Sequence, residues 1–226
     1  GRLLSGTDRF RFACHPEVPC FNRCCRNLNL YLYPYDVIRL KTSLGMTSDA
    51  FIEAHTDIVL RPGSHFPHVL LAMSDNAEKT CPFLTGAGCR VYPDRPQTCR
   101  AFPVEHGLRF DETGAKPQLL HYFRPPDFCR GQDEDREWTF RTWEADQNAA
   151  FYNQMTVAWA QIMALFANDP WGGKGLEGQK AKMAFMAVYN VDVFRRFVLE
   201  SSFLSRCKIK SDLRLKIKSD DVALLR

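Results

Sequence analysis

Nine cysteines in a chain of 226 residues, eight of them before residue 130, constrain this fold more than any other feature of the sequence. They are Cys14, Cys20, Cys24 and Cys25, then Cys81, Cys89 and Cys99, then an isolated Cys129, with Cys207 far downstream. Small secreted domains use disulfides because their cores are too small to hold alone. A chain of this length with 45% hydrophobic residues builds a core without them. The odd count and the adjacent pair Cys24-Cys25 fit poorly with a disulfide framework. A nucleophilic Cys–His–Asn arrangement asks for one cysteine, not eight. Metal binding in a reducing cytoplasm is the favoured reading, with disulfides or scattered buried thiols as the alternatives.

The spacings support that preference. The first block runs Cys14-x5-Cys20-x3-Cys24-Cys25. The second contains Cys81-Pro82-Phe83-Leu84, Cys89-x-Val91-Tyr92 and Arg95-Pro96-Gln97-Thr98-Cys99-Arg100. Close spacings let thiolates converge on one centre without a long ordered loop between them. Closing the longer Cys25-to-Cys81 loop costs entropy that grows only logarithmically with its length. Eight candidate thiolates with no interleaved histidine select a soft metal, zinc or iron–sulfur, and exclude magnesium and calcium. One cluster with spare cysteines and two four-cysteine sites both remain open. Neighbouring side chains diverge, so Cys24 and Cys25 serve two sites or two irons of one cluster.

Arginines surround these sulfurs. Arg23, Arg26, Arg90, Arg100 and Arg130 each adjoin a cysteine, and Arg95 opens the Cys99 motif. A four-thiolate zinc site or an oxidised cubane carries about two negative charges, which guanidinium groups offset while lowering thiolate pKa values. Arg23, Arg26, Arg90, Arg95 and Arg100 are therefore expected to face the bound group. The alternative is a solvated basic surface.

These residues resemble the YkgJ-type cysteine-cluster family, described as zinc- or iron-chelating. The resemblance lies in the Cys-Cys pair, followed by a strand and a helix with Asp36 and Arg39-Leu40. It continues through Cys81-Pro82-Phe83-Leu84, Cys89-Arg90-Val91-Tyr92 and Arg95-Pro96-x-x-Cys99-Arg100-Ala101-Phe102-Pro103. It covers about residues 10 to 131. The cysteine region of flagellin lysine methylases is similar and is thought to hold a four-iron cluster, so the resemblance implies iron–sulfur before zinc. Family members often carry Cys-x2-Cys-Cys where this chain has Cys20-x3-Cys24-Cys25. The resemblance thus carries Cys24 and Cys99 more firmly than Cys14 and Cys20.

Along the chain, Arg9 to Arg26 reads as an ordered loop and Leu28–Leu32 alternates as a strand does. Pro34 opens a helix ending at Gly45, and Thr47-Ser48-Asp49 caps a second over Ala50–His55. Ile58–Leu60 and Val69–Met73 read as strands across a Pro/Gly/His turn. Leu108–Phe110 and Gln118–Phe123 form a hairpin across Asp111-Glu112-Thr113-Gly114. Apolar residues at helical spacing predict one long helix from Phe140 to Phe166 and a second from Glu177 to about Cys207, and the last residues alternate in part. The fold class is α+β, a loop-rich cysteine region of short strands and helices closed by two long C-terminal helices. Residues 10–131 form the metal-binding region, and 132–226 pack on it as a helical region in one compact unit.

Other signals are weaker. His65 and His68 have an i, i+3 spacing but sit in a turn, where histidines are usually solvated. Asp36 caps or pairs before it acts as an acid, and Cys207 continues an apolar stripe. No dinucleotide fingerprint, P-loop or nucleophile elbow is present. The net charge of +4 does not imply nucleic acid, and no apolar run is long enough to span a membrane. The start Gly1–Gly6 has neither Met nor the apolar region of a secretion signal, although a clipped signal would leave the same start. The expected partners are the metal and a protein substrate or partner. Function divides into a cluster-dependent protein-modifying or redox enzyme, and a zinc-binding structural or interaction module without catalysis.

Overall fold

The cysteine blocks lie mostly in loops and single turns set between short strands and helices. The computed structural model describes residues 1–110, 117–173 and 175–226. Strands β1 (Arg2–Leu3) and β2 (Arg9–Arg11) precede the first block, and β3 (Tyr31–Leu32) follows it. Pro34, its φ preset, opens helix α1 (Pro34–Ser43), and Gly45 leaves it at φ 65°. Helix α2 (Ser48–His55) leads into β4 (Thr56–Val59) and β5 (His68–Leu71). β3, β5 and β4 form an antiparallel sheet with β5 central and Ile58 opposite Val69.

The second block is mostly irregular, as its Pro, Gly and Arg content predicts. It holds the two-residue strands β6 (Leu84–Thr85) and β7 (Gly88–Cys89) and the short helix α3 (Gln97–Ala101). β8 (Val104–Arg109) and β9 (Gln118–Phe123) pair from Val104↔Phe123 to Arg109↔Gln118. The turn expected at Asp111-Glu112-Thr113-Gly114 lies outside the described residues. β1 lies along the far side of β9, while β2 pairs with β10 (Glu137–Thr139).

Each of the two long helices expected toward the C-terminus is broken. α4 (Phe140–Asp146) and α5 (Ala150–Phe166) part at Asn148, which takes φ 50°. The Gln147 carbonyl beside it accepts from Arg100 Nη1 at 2.5 Å, so an arginine of the cysteine block occupies the break. α6 (Gln179–Tyr189) and α7 (Val191–Glu200) part at Asn190, whose side chain accepts from the Ser48 hydroxyl at 2.8 Å. Apolar periodicity survives a break of one to three residues, and so it merges two helices into one. Cys207 follows a 3-10 turn (Ser202–Ser205) instead of extending a helical stripe, and it is half-buried. The tail is helical rather than alternating, in α8 (Ser211–Lys216) and α9 (Asp221–Leu225).

Three apolar clusters hold these elements. The first gathers Val37, Leu40, Phe51 and Val69 with Trp171 and Tyr189. The second gathers Phe10, Phe12, Val104, Trp138 and Trp143 around Cys129, and the third is Val198, Leu204 and Ile217. The C-terminal helices are locked to α1 through buried Lys41, which lies 2.9 Å from Asp192 and 2.8 Å from Asp221. Arg195 pairs with the same two carboxylates, so no charge in the lock is buried without its opposite. Among the described residues no helix is long and apolar enough to cross a membrane.

Candidate metal centre

All nine cysteines are free thiols. Backbone hydrogen bonds, not sequence proximity, decide which of them become neighbours. In the first block Arg23 N donates to Cys20 O at 2.9 Å, and Cys25 N donates to Asn22 O at 3.1 Å. Asn22 takes φ 62° and starts the 3-10 turn Arg23–Cys25 that carries the adjacent pair.

Cys25 is joined directly to the second block. Cys81 N donates to Cys25 O at 2.8 Å, Asn27 N donates to Lys79 O at 2.8 Å, and Arg26 bridges Thr80. The β6–β7 hairpin then sets Cys89 opposite Leu84, and Leu84 N bonds back to Cys81 O at 3.0 Å. Cys99 lies on α3, whose first N–H, Gln97 N, donates to Asp36 Oδ1 at 2.9 Å. The other Asp36 oxygen accepts from Tyr33 N at 2.9 Å and closes the first turn of α1. One buried carboxylate therefore starts two helices and fixes the height of Cys99. Cys81, Cys89 and Cys99 all pack on the first apolar cluster.

Cys14, Cys20 and Cys129 meet on another surface. Ala13 N donates to Gly131 O at 3.0 Å, so the segment bearing Cys14, which follows β2, lies beside the turn bearing Cys129. Arg130 N donates to Cys20 Sγ at 3.1 Å. Gly131 permits this contact, since a Cβ there would stand 2.4 Å from Ala13 O. Cys129 is a member of the second cluster, Cys20 packs against it, and Cys14 is exposed at its rim.

The electrostatics link sulfurs within each group and, through Cys24 and Cys25, across the two. Burial pushes the Cys99 thiol up, and Cys25, Cys81 and Cys89 stand near enough to push it further. Burial raises Cys81 to about 11, with Cys25 and Cys89 adding. Partial desolvation raises Cys14 to about 11, with Cys20, Cys129 and Cys25 adding. The Cys24 thiol donates to Cys25, which raises Cys24 and lowers Cys25, and Arg26 lowers Cys25 further.

The arginines divide. Arg26 acts on Cys25, and Arg95, half a turn before α3, acts on Cys89. Arg95 lies 3.8 Å over the Tyr92 ring and reaches the Gln147 side chain. Arg100 turns away from the sulfurs to the carbonyls of Gln147 and Pro93, both at 2.5 Å. Arg23 lies over Phe128, Arg90 over Phe83, and Arg130 pairs with Asp133. His65 stands 3.9 Å from Asp169, and His68 packs edge-on against Tyr31, so neither joins the cysteines.

Among the described residues no three His, Cys, Asp or Glu side chains are drawn closely enough together to hold one ion. Backbone bonds bring Cys25 beside Cys81 and the Cys14 segment beside the Cys129 turn, and completing a site would take side-chain rotation and loss of the thiol protons. The donor chemistry fits zinc or iron: all the candidate ligands are sulfur, and a backbone N–H already supports Cys20.

Three features escaped the sequence. The Asp36–Gln97 link and the Lys41 lock join residues far apart in the chain, and no local pattern announces either. Gly131, directly after Cys129-Arg130, carried a readable signal, because a glycine beside a ligand marks a close backbone approach.

The family model for CxxCxxCC, "Putative zinc- or iron-chelating domain", matches residues 13–144, a span that holds all eight candidate ligands and leaves out Cys207. No curated protein and no solved structure matches the chain. With more than half of its length matched, the chain belongs to the CxxCxxCC family of zinc- or iron-chelating domains.

Proposed function

We propose that the chain binds iron as a thiolate-ligated iron–sulfur centre in a reducing compartment. The observation that supports this is the all-sulfur donor set: eight free cysteines fall within the family match, and backbone bonds bring Cys25 beside Cys81 and the Cys14 segment beside the Cys129 turn. Eight sulfurs exceed what one zinc ion takes. Cys81 is followed by Pro82, as is the last ligand of the bacterial ferredoxin run. Arg26 and Arg95 supply positive charge beside Cys25 and Cys89. When bound, such a cluster supplies one-electron redox chemistry.

Iron, acid-labile sulfide and zinc analysis of protein made and kept without oxygen tests the assignment. Iron and sulfide near stoichiometry with visible absorbance are expected. Colourless anaerobic protein carrying only zinc would overturn it. Aerobic material does not decide, because an oxidised cluster is lost and its cysteines refill with zinc.

A second reading, a zinc-holding interaction module, draws on where the surface clefts lie. Two surface clefts, of about 330 and 290 Å³, are lined around Arg2, Arg9 and Phe123 and around Arg61, His65 and Phe166. No cysteine lines either of them, whereas a catalytic centre needs an open position beside its metal.

A further inference from the structure

Building on the reading of the cysteines as ligands, we infer that the chain carries two four-thiolate centres, one on each of its first two apolar clusters, divided between the adjacent residues Cys24 and Cys25. Cys25, Cys81, Cys89 and Cys99 form the first. Cys14, Cys20, Cys24 and Cys129 form the second.

The packing assigns most of these sulfurs without reference to charge. Cys81, Cys89 and Cys99 lie against the first cluster, Cys20 and Cys129 belong to the second, and no cysteine belongs to both. Cys25 joins the first group because its carbonyl receives the Cys81 N–H. Cys14 joins the second through the Ala13–Gly131 bond, which brings its segment to the Cys129 turn.

Cys24 remains. On a 3-10 turn, with three residues per turn, successive side chains project about 120° apart. Cys24 nevertheless stands between the groups, hydrogen-bonded to Cys25 and with Cys14 on one side and Cys99 on the other. Giving Cys24 to the second group completes four ligands on each side. Four thiolates are what a closed zinc site or a four-iron cubane takes, so neither centre is short of sulfur and none is left over.

The two centres differ in access. Cys25, Cys81, Cys89 and Cys99 are all half-buried, while in the other group Cys14 is exposed and Cys129 is buried. The second centre is the one that exchanges metal with solvent.

Cobalt(II) is a suitable probe, since tetrathiolate cobalt absorbs visibly. Metal-stripped, reduced protein titrated without oxygen should bind two equivalents. Cys81→Ser and Cys129→Ser should each bind one, and the double variant none. Should a serine disturb folding, the unmodified protein still carries the test. A chromophoric chelator should withdraw its cobalt in two phases of equal amplitude, and Cys129→Ser should lack the fast one. One equivalent in the unmodified protein, lost in both single variants, would mean a single shared centre and overturn the division. Binding of no cobalt at all would overturn the ligand assignment itself.

Discussion

The two cysteine groups are held by different means. Around Cys81, Cys89 and Cys99 the positions are set by packing on a core that α1, α2, β5 and α6 also share, and Cys25 is tied to them by the Cys81 N–H. In the other group Cys129 sits in the smaller second cluster with Cys20 against it, while Cys14 is exposed and its segment is tied by the Ala13–Gly131 backbone bond, with Gly131 as the contact point. Fixing one residue's backbone costs about 1–2 kcal/mol of conformational entropy. The larger core offsets more of that cost in the absence of metal than the smaller cluster and its loop bond do. The first group is therefore expected to stay near its final shape when stripped, and the second to order on loading.

Stripping the metal should separate them most clearly. Hydrogen exchange across residues 10–130 is expected to rise, by orders of magnitude around Ala13, Cys20 and Gly131 and less around Val37 and Val69. The third cluster, with no cysteine among its packed residues, should keep its protection. Equal protection with and without metal would break the comparison.

Asp36→Ala attacks the first group alone. It leaves two helix-starting N–H groups without an acceptor and should cost about 2–4 kcal/mol in urea unfolding. It should also lower metal content at Cys99 more than at Cys129. The carboxyl adds a pH dependence. Burial pushes its pKa up to about 7 from 3.8, against the hydrogen bonds from Tyr33 and Gln97. The fold thus binds a proton that the unfolded chain releases at lower pH. The associated stability is full below about pH 4 and is lost as pH rises to about 7. Stripped protein should show that decline relative to Asp36→Asn, and parallel profiles for the two would refute it.

Gly131→Ala attacks the second group. The added methyl meets the Ala13 carbonyl and the Phe12 ring, and overpacking of this kind costs about 1–3 kcal/mol. Cobalt release from the fast phase should accelerate while the slow phase stays unchanged. Cys207→Ser should do least. Stability should stay within about 0.5 kcal/mol and metal content should not change, since Cys207 lies outside both groups. Metal loss there would show that a ligand has been misassigned.

How much of this was legible in the sequence depends on range. Pro34, Gly45 and the alternation about Ile58 and Val69 are local signals, and the elements they announce are present. The breaks at Asn148 and Asn190 were hidden, because Arg100 and Ser48, distant residues, occupy them. The cysteine spacings pointed to metal, and the family match agrees. Their division could not be read, because it depends on the Cys25–Cys81 and Ala13–Gly131 pairings, which connect far-separated segments. Arg100 shows the same limit: adjacency to Cys99 suggested a charge partner, yet its guanidinium serves a helix break.

The long reach of the Cys25–Cys81 pairing has a consequence for biosynthesis. A ribosome extends a chain at about 5–20 residues per second, N-terminus first, so Cys25 is exposed for several seconds before Cys81 exists. The group around Cys25 can close only after Cys99 has emerged, and the group around Cys14 must wait for Cys129. During that interval four nascent thiols stand bare. Metal delivered before Cys129 has emerged would find incomplete sets, so the thiols must be kept reduced until then.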